Sequence, residues 1–154
     1  MGTSEVAISG ATEPAYLVVP DAPVRAGIVY LHWFDEAPNA NRTQFLAEAE
    51  EMTSHGIASI LPQLEFPWTN PPSGAEHDME RIEKELEALE SCLGILRDHV
   101  KEAPIAVVGH DFGAMHGALL MQKHTVTCGV MIAATPRWGD WFLTFWPIEG
   151  DRHD

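Results

Sequence analysis

A carboxylate held between two glycines is the group in this sequence best placed to do chemistry. Asp111 is the middle residue of segment 109–113, which reads Gly-His-Asp-Phe-Gly. The apolar run 104–108 before it predicts a buried strand, and the small residues of 114–120 after it predict a helix. Glycines allow a tight turn there, because a Cβ would collide with the neighbouring strand or helix. The turn would hold Asp111 at the mouth of the sheet, where a carboxylate acts as a nucleophile or as a base.

Histidines are the second group of interest, because a carboxylate nucleophile needs a base-activated water to complete a turnover. Of the eight histidines, His32 and His110 fall at the ends of predicted strands that would lie side by side. We therefore predict Asp111, His110 and His32 as catalytic residues. Alternatives stay open for each. The histidines could be packed and hydrogen-bonded at the strand ends, or form a metal site with Asp35 and Asp111, and Asp111 could cap the helix that begins at Phe112.

The elements that must position these residues alternate along the chain. Strands are predicted at 15–20, 26–32, 57–61, 104–108 and 127–135, and helices at 41–56, 73–100 and 112–123. Asn41 with Gln44, and Ser73 with Glu76, have the spacing of capping boxes. This order predicts an α/β fold, a three-layer sandwich whose mostly parallel sheet is flanked by helices.

The second helix carries an apolar stripe at alternating steps of three and four residues. Taken alone, the stripe would also suit a short coiled coil, but strands on both sides favour packing against a sheet. Its members are Met79, Ile82, Leu86, Leu89, Leu93, Leu96 and Val100.

Composition restricts the classes of function. The 154 residues predict one domain spanning 1–154, and 45% hydrophobic residues are typical of a globular protein. A net charge of −14 argues against nucleic acid and anionic membranes as partners. Cys92 and Cys128 lie in apolar patterns on different elements and predict buried free thiols in a reducing compartment rather than a disulfide. With no signal peptide and no membrane span expected, we predict a cytoplasmic protein that acts on a small molecule and needs no cofactor or metal.

The C-terminal tail, residues 137–154, has aromatic residues at helical spacing. They are Trp138, Trp141, Phe142, Phe145 and Trp146. This stripe could pack on the chain's own sheet, or it could contact a second copy. We expect a homodimer, formed through the edge of the last predicted strand (127–135) or through this tail, because an exposed edge beside aromatic residues invites pairing.

Three segments together resemble the N-terminal part of an α/β-hydrolase, in the style of the dienelactone-hydrolase-like group. Strand 27–32 followed by Trp33 and Phe34 is similar to the strand that supplies an oxyanion-hole amide, and 57–62 is similar to the strand that ends in Pro-Asp. Segment 109–113 resembles the nucleophile elbow. The resemblance implies an oxyanion hole from the amides of Trp33, Phe34 and Phe112. It also implies a substrate cleft lined by Trp33, Phe34, Phe66, Trp68 and Trp138.

The sequence departs from the family at several positions. Gln63 stands where the family has Asp, Trp33 replaces a Gly, and Asp111 replaces Ser. Members with Asp at the elbow include haloalkane dehalogenases and epoxide hydrolases, whose His-Gly-x-Pro motif is missing here. The family acid and His follow the seventh and eighth strands, so the chain is expected to be truncated after the sixth.

The resemblance implies hydrolysis of an ester or lactone, with Asp111 as nucleophile or as water-activating base. A first alternative is a non-catalytic binding module derived from a truncated hydrolase. A second alternative is dehalogenase or epoxide hydrolase chemistry, which depends on Asp111 alone.

Overall fold

The computed structural model describes residues 2–34, 40–65, 74–135 and 137. Six strands and three helices lie within them. The strands are β1 (Gly2–Val6), β2 (Ala15–Val19), β3 (Ala26–Leu31), β4 (Ile57–Leu61), β5 (Ile105–His110) and β6 (Cys128–Ile132). The helices are α1 (Leu46–Met52), α2 (Ala75–Val100) and α3 (Phe112–Lys123), and short 3₁₀ turns at Asn41–Thr43 and Thr53–His55 flank α1. Among the described residues, none of the helices has both the length and the apolar character needed to cross a bilayer.

The strands form one sheet in the order β1-β2-β4-β3-β5-β6. β1 and β2 run antiparallel to their neighbours, and β4, β3, β5 and β6 are mutually parallel. Parallel neighbours need crossover connections, and helices supply them here. The register pairs Leu31 with Gly109 and His110 with Ile132, so the carboxyl ends of β3, β5 and β6 lie side by side.

Two hydrophobic cores cover the two faces of the sheet. The larger core joins the sheet to α2 and α3, and contains buried side chains such as Val29, Val107 and Leu96. The smaller core lies under α1 and contains Tyr30 and Ala49. The predicted three-layer α/β architecture is therefore confirmed. Five of the seven residues in the predicted stripe of α2 are buried because they face the sheet: Leu86, Leu89, Leu93, Leu96 and Val100.

Several local predictions need correction. The N-terminal strand β1 was not predicted, because its polar sequence Gly-Thr-Ser-Glu-Val has no apolar alternation. Met79 is 55% exposed although it continues the apolar stripe of α2. Asn41 does not cap a helix: it begins a 3₁₀ turn, α1 starts at Leu46, and the Gln44 side-chain amide donates to Asn41 Oδ1 at 3.2 Å.

The last strand also differs from expectation. A buried strand was predicted over 127–135, but β6 is an edge strand and most of its residues are exposed. An apolar run indicates burial only when another element covers the strand, and the described residues cover β6 incompletely.

Candidate functional site

The carboxyl end of β5 turns abruptly into α3 at Asp111. This residue has φ 53° and ψ −113°, a backbone conformation that costs a non-glycine residue about 1–3 kcal/mol. Its neighbours hold it there: the Asp111 N–H donates to the Ile132 carbonyl at 2.9 Å, and its carbonyl accepts from the Met115 N–H at 3.2 Å. The strained residue is thus fixed from both β6 and α3.

The two glycines of the turn are required by close approach. A Cβ on Gly109 would lie 2.5 Å from the Gly113 carbonyl oxygen, and a Cβ on Gly113 would lie 2.1 Å from the Leu31 carbonyl oxygen. All of these neighbours are backbone atoms, which cannot rotate away. The predicted mechanical role of both glycines is confirmed, and it places the first turn of α3 directly against the end of β3.

The Asp111 carboxyl is partly buried at this corner. Burial raises its pKa above the usual Asp value, while the Phe112 amide and the neighbouring His110 act in the opposite direction. The side chain makes no N-cap hydrogen bond to α3, but the carboxyl interacts with the amide of Phe112, the first residue of the helix. A capping side chain binds the second or third amide of a helix instead.

His32 is buried at the end of β3, where both of its ring nitrogens are engaged. Nδ1 lies 2.9 Å from the Trp33 carbonyl oxygen, and Nε2 accepts the Leu64 N–H at 2.8 Å. A carbonyl only accepts, so Nδ1 carries the proton and the ring is neutral. The sequence left open whether His32 is catalytic or packed, and these contacts favour the packed alternative, in which it ties β3 to the segment after β4.

His110 is only partly buried and lies beside Asp111 at the same corner. Its ring packs edge-on against Trp33, with the ring centroids 4.5 Å apart. His110 also lowers the pKa of Asp111, the residue that follows it in the sequence. Of the two predicted histidines, His110 is the better-placed partner for this carboxylate.

The predicted oxyanion donors differ in their surroundings. The Trp33 N–H donates to Gln44 Oε1 at 3.1 Å, so an oxyanion would have to displace the Gln44 side chain. Phe112 is the first residue of α3, and its amide lowers the pKa of the adjacent Asp111 carboxyl. Phe34 packs edge-on against Phe112 at 5.3 Å, which brings the end of β3 next to the start of α3.

Two titratable residues whose pKa values are shifted by burial were not among the predicted site residues. His116 is fully buried one turn into α3, its Nδ1 donates to the Phe112 carbonyl at 3.0 Å, and burial lowers its pKa to about 4. Glu85 on α2 accepts the Glu65 N–H at 3.2 Å, and burial raises its pKa to about 7. Glu85 flanks the apolar stripe of α2 and His116 lies in the small-residue segment 114–120. Neither position distinguishes a buried titratable group from a solvated one.

Other predicted positions lie outside the described residues. They are Asp35, Phe66, Trp68, Trp138 and the tail from 138 to 154. Within the described part of the chain, no three His, Cys, Asp or Glu side chains are grouped so that they could hold a metal ion. Both cysteines are free thiols; Cys92 is buried as predicted, but Cys128 is exposed because it begins the edge strand β6.

Comparisons with known proteins place the fold. No protein-family model and no curated protein sequence matches the chain. Among solved structures, it is similar to a thermostable carboxyl esterase from Bacillus coagulans, with a TM-score of 0.65 and 12% identity over 93% of this chain and 48% of that one. It is also similar to an α/β serine hydrolase homologue from Coxiella burnetii, with a TM-score of 0.55 and 16% identity over 93% of this chain and 67% of that one.

A third similar structure is a dienelactone hydrolase from Anabaena variabilis, with a TM-score of 0.54 and 14% identity over 80% of this chain and 58% of that one. The chain thus spans about half of the length of the Bacillus coagulans esterase. At these identities the likeness concerns the backbone, and it agrees with the strand order and the helix layers described above. The chain has the α/β-hydrolase fold.

Proposed function

We propose that this protein hydrolyses an ester or a lactone, and that Asp111 at the nucleophile-elbow position carries the reaction. The observation behind the proposal is the strained backbone of Asp111, held between β6 and α3 with its carboxyl partly buried. Strain of this kind persists where the surrounding structure imposes it, and it concentrates at functional sites. The esterase-like and hydrolase-like structures that share the fold support the same class of reaction.

Asp111 could act by either of two routes. In the first, a carboxylate oxygen bonds to the acyl carbon, the alkoxide leaves and takes a proton from solvent, and water then cleaves the anhydride to release the acid. In the second, Asp111 takes a proton from water, the resulting hydroxide adds to the acyl carbon, and the alkoxide then leaves and takes that proton back from Asp111. Both routes need an ionised carboxylate, so activity should fall as the pH drops through the raised pKa of Asp111.

The negative charge that develops on the acyl oxygen needs donors close to Asp111. The Phe112 amide at the start of α3 is the proposed donor, because a helix N-terminus favours negative charge. The Trp33 amide is a second donor only when Gln44 moves away. With one donor missing, a rate loss of ~10²–10³ is expected relative to a complete oxyanion hole, so slow turnover is part of the proposal.

The test is hydrolysis of a panel of p-nitrophenyl esters and simple lactones by the parent protein, by Asp111→Asn and by Asp98→Asn. Asp98 is an exposed aspartate of α2 and serves as the matched control. We expect Asp111→Asn to lose ~10²-fold or more of the activity, as for removal of a general base, and Asp98→Asn to lose none. An acyl adduct seen by intact mass with a slow substrate indicates the nucleophilic route. Equal activity of all three proteins, or none in the parent, would contradict the proposal.

A second candidate is a binding module without turnover, and two observations favour it. The ring nitrogens of His32 are both engaged, and the Trp33 amide is taken by Gln44. These contacts leave neither a histidine base at His32 nor an oxyanion donor at Trp33 available for hydrolysis beside Asp111. Saturable binding of esters or lactones without product release would assign this function instead, whereas halide release from haloalkanes would indicate dehalogenase chemistry.

A further inference from the structure

Two pairs of aromatic rings adjoin the Asp111 carboxylate. Asp111 stands between His110 and Phe112 in the sequence. The His110 ring packs edge-on against Trp33, with the ring centroids 4.5 Å apart, and the Phe112 ring packs edge-on against Phe34, with the ring centroids 5.3 Å apart. Trp33, Phe34 and Asp111 are each only partly buried. Aromatic carbon and a carboxylate are therefore accessible at the same corner of the described structure.

Within the described part of the chain, no Lys or Arg neutralises this carboxylate. Burial raises the pKa of Asp111, and only the Phe112 amide and His110 act against that rise. Arg42, the first basic side chain after β3, is instead ion-paired with Glu5 at 3.0 Å. A negatively charged ligand would meet the Asp111 charge with no described Lys or Arg to offset it.

The residues outside the described part add acids and aromatic rings rather than bases. The sequence places a single Lys or Arg among them, Arg152. Their acidic residues are Asp35, Glu36, Asp140, Glu149, Asp151 and Asp154. These segments therefore contain far more negative than positive charge.

A cation is the ligand that both features of the corner favour. Aromatic rings attract a cation that lies within about 6 Å of the ring centroid, Trp most strongly, and the attraction grows when water is excluded. A carboxylate that has lost part of its hydration is stabilised by an adjacent positive charge. A quaternary ammonium group suits both, because it presents methyl groups to the rings and needs no hydrogen bonds. The net charge of −14 attracts cations to the protein surface.

We propose that this corner binds a quaternary ammonium group, and that the esters or lactones it hydrolyses carry this cation in the part of the molecule that does not react. The ammonium packs against Trp33 and Phe34, and Asp111 supplies the opposite charge. The substrate class rests on the proposed function, whereas the binding of the cation does not require turnover. A bound cation also favours the ionised form of Asp111, which both routes of hydrolysis need, so activity on cationic substrates should persist to lower pH than activity on neutral ones.

Titration with choline and with its neutral isostere 3,3-dimethylbutanol tests the binding site without turnover. Ligand-observed NMR measures both affinities, and we expect the parent to bind choline at least about tenfold more tightly than the isostere. Asp111→Asn should weaken choline binding by at least about fivefold and Trp33→Leu by at least about threefold, with the isostere less affected. Circular dichroism checks folding, and Phe34→Leu replaces Trp33→Leu if that variant does not fold.

Asp98→Asn is the matched control for the charge of the whole protein. It removes one negative charge, as Asp111→Asn does, but from an exposed position on α2. We expect it to bind choline as the parent does. Equal affinity of the parent for choline and for the isostere would overturn the proposal, and so would equal losses in Asp98→Asn and Asp111→Asn.

Hydrolysis rates separate this proposal from the proposed function. The kcat/KM of a choline ester should exceed that of the matching 3,3-dimethylbutyl ester by at least about tenfold. Hydrolysis of both esters at equal kcat/KM would support the proposed function and overturn the cationic substrate class. Choline binding that depends on Asp111 and Trp33, without hydrolysis of either ester, would support the cation site and contradict the proposed function.

Discussion

The close approach of α3 to β3 predicts a large effect from the addition of a single methyl group. In Gly113→Ala the new Cβ would lie 2.1 Å from the Leu31 carbonyl oxygen and 2.6 Å from the His32 carbonyl oxygen, where ordinary contact begins at 3.4 Å. Relieving the overlap requires α3 to move from β3 by more than about 1 Å, a shift that the packed interior resists. Overpacking of this kind costs about 1–3 kcal/mol, and we expect the upper end because only backbone atoms are involved.

A second glycine provides the matched control. Gly94 lies within α2, and a Cβ there would meet nothing within 4 Å. Neither Gly94 nor Gly113 has a positive φ, so alanine is sterically compatible with the backbone at both positions. Gly94→Ala should stabilise the protein by about 0.5–1 kcal/mol, the usual gain of alanine over glycine inside a helix.

Urea unfolding followed by far-UV circular dichroism measures both changes in the free energy of unfolding. For a chain of this length, a loss of about 3 kcal/mol corresponds to a fall in Tm of roughly 6–12 °C. The two variants should move in opposite directions. If Gly113→Ala is as stable as the parent, α3 does not lie against β3 as described, and the geometry of the Asp111 corner would be wrong.

Four further substitutions have defined outcomes. Gln44→Ala removes the acceptor of the Trp33 N–H, so ester turnover should rise by about tenfold, part of the value of one oxyanion donor. Glu85 binds its proton more tightly in the folded state, with a pKa of about 7 instead of 4.5, so stability is lost as the pH rises through this interval. Glu85→Gln should remove that loss and be more stable than the parent above pH 7, by at most about 3 kcal/mol in urea unfolding. Asp111→Gly and Lys101→Gly should each stabilise by about 1 kcal/mol in the same assay, because both residues have a positive φ with almost the same ψ.

Each of these changes has an outcome that contradicts its premise. Unchanged or lower turnover in folded Gln44→Ala would mean that the Trp33 amide does not face the reacting oxygen. A constant difference between Glu85→Gln and the parent from pH 5 to pH 8 would exclude titration of Glu85 in this range. Stabilisation by Lys101→Gly but not by Asp111→Gly would show that the Asp111 side chain itself stabilises the turn.

The sequence alone predicted most of the elements around the site. The apolar runs of β3, β4 and β5 are continuous because the strands are covered on both faces, and the stripe of α2 repeats because the helix packs on a sheet. The two glycines of segment 109–113 indicated a tight turn around Asp111. Each of these features can be recognised within a short stretch of sequence, from the types and spacing of consecutive residues.

Only the tertiary structure decided which polar groups of the candidate site are already hydrogen-bonded to other parts of the chain. The Leu64 N–H donates to Nε2 of His32, and the Trp33 N–H donates to Oε1 of Gln44. The paired residues are 32 and 11 positions apart in the sequence. The same holds for β6, whose apolar sequence predicted burial while its place in the sheet leaves it exposed. Residue types and spacing determine what a segment can do, but a hydrogen bond or a covered face needs a second segment, and only the folded chain decides which segments meet.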